Sequence, residues 1–212
     1  PIRIQISPKD PVARNINHAV AFIEMDDKRF FLERLVTENP KSKILVFVRT
    51  KVRAERVQKA LERVNLESLT IHSDKDQKER FSVMRKFREG ETLILIATDV
   101  SARGIDIPDV DFVVNYDLPE QTENYVHRVG RTGRGKRKGQ AVSFCSEEEK
   151  TLLAEIETYL EQDVKVLEIA KKDYKETLDF TPEIETDWRS LLHKADEDEQ
   201  AFMLKKKIKK RR

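Results

Sequence analysis

Short runs in which every residue is apolar recur along this chain, separated by stretches with helical spacing of apolar residues. That alternation constrains the fold more than any other feature. Ile44–Val48 (ILVFV) and Leu93–Ala97 (LILIA) contain no polar residue, as expected of strands covered on both faces. His18–Glu24 (HAVAFIE) is apolar with partial alternation and predicts an edge strand. Ser68–Ile71, Asp111–Asn115 and Gly139–Cys145 complete the predicted strands. Between them lie five predicted helices. The first follows Asp26-Asp27, acids suited to a helix N-terminus, runs through Phe30, Phe31 and Leu35, and ends near Asn39-Pro40. Lys51–Val64 carries Val57, Leu61 and Val64 on one face, and Gln77–Arg88 carries Phe81, Met84 and Phe87 before Gly90 stops it. Thr122–Val129 is short. Ser146 and Glu149 form a capping box for a last helix with Leu152, Leu153, Ile156, Tyr159 and Leu160 on its apolar face. Strands alternating with helices predict an α/β domain with a mainly parallel sheet and right-handed crossovers. Ligands of such sheets sit beyond the carboxyl ends of the strands.

The rest of the chain is of another kind. From about Lys171 acids and bases crowd together and the strand pattern stops. Trp188, Leu192, Ala195 and Phe202 have a loose heptad-like spacing that predicts one amphipathic helix, and the chain closes on a basic run, Lys205–Arg212. The expected division is a domain over 1–169 and a charged, partly helical extension over 170–212. The basic tail reads as an RNA tether of salt-sensitive affinity or as a solvated terminus, and the extension offers a surface for self-association. Charged residues make up 38% of the chain, yet the net charge is only +2, so any nucleic-acid contact must come from local patches. One cysteine, Cys145, excludes an internal disulfide and reads as core; four scattered histidines predict no metal site. No apolar run approaches a membrane span and no signal peptide opens the chain, so the expected location is cytoplasmic. The chain begins at Pro1 without a methionine, which suggests a piece of something longer.

Four polar segments are expected at such carboxyl strand ends, together on one edge of the sheet. Tyr125–Gly135 (YVHRVGRTGRG) packs three arginines and three glycines at the end of a helix. Glycine lets backbone approach a ligand closely, and guanidinium forks suit phosphate oxygens. Arg131 and Arg134 share a face if this turn is helical. Ala97–Asp106 (ATDVSARGID) follows the most apolar strand, with Thr98 and Asp99 at its end, Arg103-Gly104 at a turn, and Asp106 able to accept from a ribose hydroxyl. His72–Arg80 (HSDKDQKER) places Gln77 and Arg80 three apart on a new helix; alone it reads as a capped helix start. Val48–Lys51 (VRTK) offers a hydroxyl and cations at a helix N-terminus, a natural phosphate site.

In this order and spacing, ILVFVRTK, HSDKDQKER, ATDVSARGID and HRVGRTGRG resemble the C-terminal lobe of DEAD-box RNA helicases, over roughly Ile2 to Ile169. The resemblance implies a three-layer RecA-like (P-loop NTPase-like) domain. It implies that Arg131 and Arg134 are arginine fingers reaching the γ-phosphate of ATP, and that Asp106 and Gly104 line the nucleotide. It implies that Thr50, Lys51, Ser73, Asp74, Thr98, Asp99 and Arg103 belong to a single-strand RNA track. Gln77, Arg80, His127 and Arg128 would then be the network joining the two sites. Ser73 departs from the family, which commonly has glycine there. The implied cofactor is ATP with Mg²⁺, held mainly by an N-terminal lobe, and the implied partners are single-stranded or duplex RNA and that lobe.

Such an enzyme also needs a phosphate loop, GxxxxGK[ST], and magnesium-binding acids. Gly130–Lys136 imitates the loop, but Arg137 replaces the Ser or Thr and a strand follows where one should precede. Asp196–Glu199 lies in the charged tail without a preceding strand and is no magnesium site. The chain is therefore expected to be half an enzyme, inactive alone. Two other readings fit the same residues: a lobe of a related superfamily-2 DNA helicase, and a non-catalytic RNA-binding RecA-like module.

Overall fold

A computed structural model describes residues 12, 15–99, 107, 110–133 and 139–180. The chain divides into two units after Phe180, and everything that follows concerns the first. Its elements run β1 (Ile16–Phe22), α1 (Lys28–Glu38), β2 (Ile44–Phe47), α2 (Lys51–Arg63), β3 (Leu69–Ile71), α3 (Gln77–Glu89) and β4 (Ile94–Ala97). There follow β5 (Phe112–Asn115), α4 (Thr122–Val129), β6 (Gly139–Cys145), a 3₁₀ turn (Glu147–Glu149), α5 (Lys150–Leu160), β7 (Lys165–Val166) and α6 (Lys171–Phe180).

The seven strands form one parallel sheet in the order β3-β4-β2-β5-β6-β1-β7. The apolar runs decide this order. β2 and β4, apolar at every position, pair with each other deep in the sheet, where both faces are covered. Their alternate residues feed two separate cores. Leu45, Phe47, Leu95 and Ala97 pack with Met84 and Phe87 of α3, Tyr125 and Val129 of α4, and Leu153 and Ile156 of α5. Ile44, Val46, Ile94 and Ile96 pack with Leu32 and Val36 of α1 and with Ala54, Val57 and Leu61 of α2. The result is the expected three-layer α/β domain. Cys145 is buried in the first core, and burial pushes its thiol up to about 11.

Local chemistry sets the helix ends. Thr50 caps α2 by accepting from the Arg53 amide at 3.1 Å. Asp76 and Glu79 form a reciprocal capping box at α3, and Gly90 ends that helix in the left-handed region with φ 79°. Glu149 bonds back to the Ser146 amide at 3.1 Å, as the spacing predicted, though a 3₁₀ turn intervenes before α5.

Four expectations need correction. β1 is interior, since β6 lies on one side of it and β7 on the other; partial alternation was misread as an open edge. Phe81 is not core but 72% exposed, because the buried face of α3 is set by Met84 and Phe87. Val64 is a half-buried C-cap outside α2. Asp27 stands at the N-cap of α1, as expected, and its carboxylate accepts from the Tyr174 hydroxyl at 2.8 Å. Residues 171–180, placed by composition in the extension, form α6 and pack on α1. Tyr174 lies 4.9 Å ring to ring from Phe31, and Arg34 donates to Thr177 Oγ1 at 2.6 Å. The Trp188 helix and the basic run lie outside the described residues.

Candidate functional site

Three of the four polar segments open at the carboxyl ends of β2, β3 and β4, as the sheet rule requires. Thr50 and Lys51 follow β2, Ser73 and Asp74 follow β3, and Thr98 and Asp99 follow β4. Thr50, Lys51, Ser73 and Asp74 are exposed, whereas Thr98 is 7% exposed and its amide donates to the Ile71 carbonyl at 3.4 Å. Lys51 Nζ lies 2.7 Å from Asp74 Oδ2, which joins the first loop to the second and holds the Asp74 carboxyl below its ordinary range. The capping hydroxyl of Thr50 accepts from its helix and retains a proton to donate. Beside it, the Arg49 amide donates to Asp117 at 2.9 Å and its guanidinium to Glu149 at 3.1 Å.

The fourth segment runs elsewhere. α4 starts near the carboxyl edge and leads away from it, about 12 Å at 1.5 Å per residue. The chain leaves the helix at Gly130. Thr132 then bridges to Val110, ahead of β5, with its hydroxyl donating to the Val110 carbonyl at 2.6 Å. The Val110 amide donates to the Arg131 carbonyl at 3.2 Å. The backbone carrying Arg131 is thus pinned at the amino end of β5, and its side chain is partly exposed. The expectation that all four segments share one edge fails here, because a helix separates this loop from the strand end that starts it. The helical turn that would align Arg131 with Arg134 is also not made, since Gly133 adopts φ 74°. Arg134, together with Arg103, Gly104 and Asp106, lies outside the described residues.

Gly133 is required by packing within the fold. A Cβ there would lie 2.8 Å from Ile16 Cγ1, and one on Gly139 would lie 2.7 Å from Gly133 Cα. These glycines let the loop close against the starts of β1 and β6. The Asn15 side-chain amide donates to the Gly133 carbonyl, and the Gly139 amide donates to the Asn15 carbonyl at 2.9 Å.

One side chain connects the two ends. Arg128, 2% exposed, clasps Asp99 through Nε at 2.6 Å and Nη2 at 2.8 Å. Its Nη1 donates to Asn115 Oδ1 at 3.2 Å and to the Asp117 carbonyl at 2.7 Å, and the guanidinium lies 5.0 Å from the centre of the Phe47 ring. Asn124 donates to Asp99 Oδ2 at 3.4 Å, and Asn115 donates to Ser143 Oγ at 3.0 Å. Both oxygens of Asp99 are thus engaged within the fold. Of the other network residues, Arg80 is half-buried while Gln77 and His127 are exposed.

Sequence reasoning missed a second buried cluster. Lys28, fully buried, donates to the Tyr116 carbonyl at 2.8 Å and pairs with Glu149. Glu149 also accepts from the Leu118 amide at 3.1 Å and from Arg49. The only sequence trace of it was the capping role of Glu149. Among the described residues, no group of three histidines, cysteines or carboxylates comes together to hold a metal ion.

The family model for the helicase conserved C-terminal domain matches residues 27–136. The chain is 41% identical over 174 residues to the ATP-dependent RNA helicase DbpA of Bacillus subtilis, covering 82% of this chain and 36% of that protein. It is similar to the C-terminal domain of the DEAD-box protein Dbp5, with 34% identity and a TM-score of 0.69, covering 77% of this chain and 96% of that one. It is also similar to S. cerevisiae Dbp5 bound to RNA and ADP BeF3, with 33% identity and a TM-score of 0.72, covering 81% and 46%. The chain spans a little over a third of the length of its curated relatives, 36% of DbpA and 38% of RhlB from Shewanella amazonensis. By its family match, its sheet and the four segments that its loops display, the chain belongs to the helicase conserved C-terminal domain family, in the form found as the C-terminal lobe of DEAD-box RNA helicases.

Proposed function

We propose that this chain serves an ATP-dependent RNA helicase as its second lobe, closing on a nucleotide held by an N-terminal lobe and on one strand of RNA. The observation that carries this reading is the buried Arg128–Asp99 clasp, which ties α4 to the end of β4. Arg128 belongs to the segment that ends in Arg131, and Asp99 follows Thr98 at the RNA-facing edge. A displacement at either end is therefore passed to the other through a rigid, fully bonded side chain.

On the RNA side, Thr50 and the backbone around Ser73-Asp74 would donate to phosphate oxygens, and Lys51 adds positive charge beside them. Asp99 contributes by positioning Thr98 and Arg128 and not by touching the strand. On the nucleotide side, Arg131 presents a partly exposed guanidinium on a pinned backbone, which fits a phosphate group. Arg134, Asp106 and Gly104 are assigned to the same nucleotide from the resemblance alone. ATP with Mg²⁺ supplies the cleavable phosphoanhydride when bound between the lobes. Arg131 stabilises the charge that develops there, and RNA strain on closure separates a short duplex.

The test joins this chain to its nucleotide-binding lobe and measures RNA-stimulated ATP hydrolysis. Arg131→Ala is expected to lower turnover by about 10³-fold or more, as for other arginine fingers, with RNA affinity retained. Equal loss of both refutes the finger role. The chain alone is expected to show no ATP hydrolysis, and RNA-stimulated turnover by it alone refutes the two-lobe reading.

A further inference from the structure

Phe81 points an aromatic ring into solvent from the first half of α3, at 72% exposure the most open of the large apolar side chains described. It is not alone on that line. Lys78, Arg85 and Arg88 precede and follow it at spacings of three, four and three residues, and all are exposed. At 100° per residue these four fall within about 80° of the helix circumference, along about 15 Å of its axis. α3 carries five cations against two acids. One of those acids, Glu79, is turned back into the capping box, 3.0 Å from the Asp76 amide. Among the described residues no ion pair engages Lys78 or Arg85, although Glu89 stands one turn beyond Arg85.

An aromatic ring between cations on one stripe meets a definite chemistry. The ring offers a stacking surface for a base, and the flanking cations neutralise phosphates on either side. Only a single strand offers both at once, since a duplex keeps its base faces stacked. The stripe also starts where the candidate RNA edge ends. α3 begins directly after the Ser73-Asp74 loop and carries the stripe away from the carboxyl edge along the β3 side of the sheet.

We propose that Lys78, Phe81, Arg85 and Arg88 form an extension of the RNA path on the outer face of α3, in which Phe81 stacks on a base and the cations hold the adjoining phosphates. The extension rests on the reading of the carboxyl edge as an RNA track, and it adds affinity that does not depend on nucleotide or on the other lobe. Acidic protein partners satisfy the charge of the stripe but make no use of a lone exposed ring between its cations.

The test uses the full chain and a fluorescein-labelled single-stranded oligouridylate, with anisotropy titrations at several salt concentrations. Phe81→Ala is expected to weaken binding about tenfold and leave the salt slope unchanged, in line with the usual contribution of one stacked base. Phe81→Trp is expected to keep wild-type affinity. Arg85→Ala is expected to weaken binding and to reduce the slope of log K against log salt by about 0.7, the share of one phosphate contact on a single strand. The melting temperature of Phe81→Ala should match wild type, because the ring is outside the core. Lys51→Ala at the carboxyl edge separates the two readings. Loss in both Lys51→Ala and Phe81→Ala supports track and extension together. Loss in Phe81→Ala alone supports the extension and removes the track. Unchanged affinity in Phe81→Ala overturns the extension and leaves the stripe as a solvated or protein-docking face, whatever Lys51→Ala does. Failure of the full chain to bind the oligouridylate at low salt overturns it as well.

Discussion

Two cations are buried at the carboxyl end of this sheet, and they are built differently. Arg128 spreads its guanidinium over both oxygens of Asp99, the side chain of Asn115, the carbonyl of Asp117 and the face of Phe47. Lys28 concentrates its charge on one carboxylate, Glu149, and one carbonyl, that of Tyr116. The planar fork of arginine satisfies several acceptors from separate loops, whereas an ammonium is a point charge that needs a close counter-ion. The partners differ in kind as well. Two partners of Arg128, Asp99 and Phe47, lie at strand ends that present candidate RNA contacts and the other two at the end of β5, while Glu149 divides itself among Lys28, Arg49 and the amides of Leu118 and Ser146. One cluster joins the end of α4 to the ends of β2, β4 and β5. The other fastens α1, β2, the β5 end and the start of α5 together. Burial of charge by itself does not distinguish coupling from framework; turnover of the joined lobes does.

The comparison breaks most sharply at Glu149. Glu149→Ala leaves the Lys28 ammonium buried with only a carbonyl, and such orphaned charges cost about 3–5 kcal/mol. Urea unfolding should show that loss, and Lys28→Met combined with Glu149→Leu should restore only part of it, because the Leu118 and Ser146 amides still lose their acceptor. A single-variant loss of about 1 kcal/mol or less would remove Lys28–Glu149 as a framework pair. Next comes Arg128→Lys, which keeps the charge but forfeits the fork. A loss of about 1.5–3 kcal/mol is expected from its charged hydrogen bonds. When the chain is joined to the N-terminal lobe, turnover should fall further in Arg128→Lys than in Lys28→Met. Equal falls would make Arg128 framework too.

The smallest effect belongs to a third, half-open pair. Glu55 lies 2.6 Å from His72 Nε2, and that hydrogen bond, opposed by partial burial, holds its carboxyl below the ordinary 4.5. A carboxyl depressed in the folded state adds stability above its unfolded pKa and loses it as pH falls through the folded value. Wild type should therefore lose this contribution below about pH 4.5, and Glu55→Gln should not, so their melting temperatures converge in acid. With the Glu55 side chain 43% exposed, solvent screening keeps the difference small. Curves that stay parallel through that range would show that the pair contributes nothing.

Much of the fold was legible because its signals are local. Fully apolar runs made β2 and β4 central, Asp76 and Gly90 bounded α3, and the capping box at Ser146 appeared where its spacing placed it. Candidate site residues could be named from the sequence, but their geometry could not. Nothing in the spelling of HRVGRTGRG says that the loop crosses to the amino end of β5, or that Gly133 is needed for close packing against Ile16 and Gly139. Phe81 was misassigned for a related reason. Its spacing fits the apolar series of α3, yet the helix sits at the edge of the sheet, where Met84 and Phe87 enter the core and Val83 packs partly against it.

The sequence by itself determined the element order, the parallel sheet, the family and which residues are candidates for RNA and nucleotide. Those follow from periodicity, caps and spelling, which are written within short windows of chain. The tertiary structure decided the rest. It turned Arg128 inward onto Asp99, buried Lys28 against a glutamate 121 residues away, left Phe81 in solvent, and gave 171–180 to the domain. Each of these depends on which strands become neighbours, and strand order is a property of the whole sheet that no window of sequence contains.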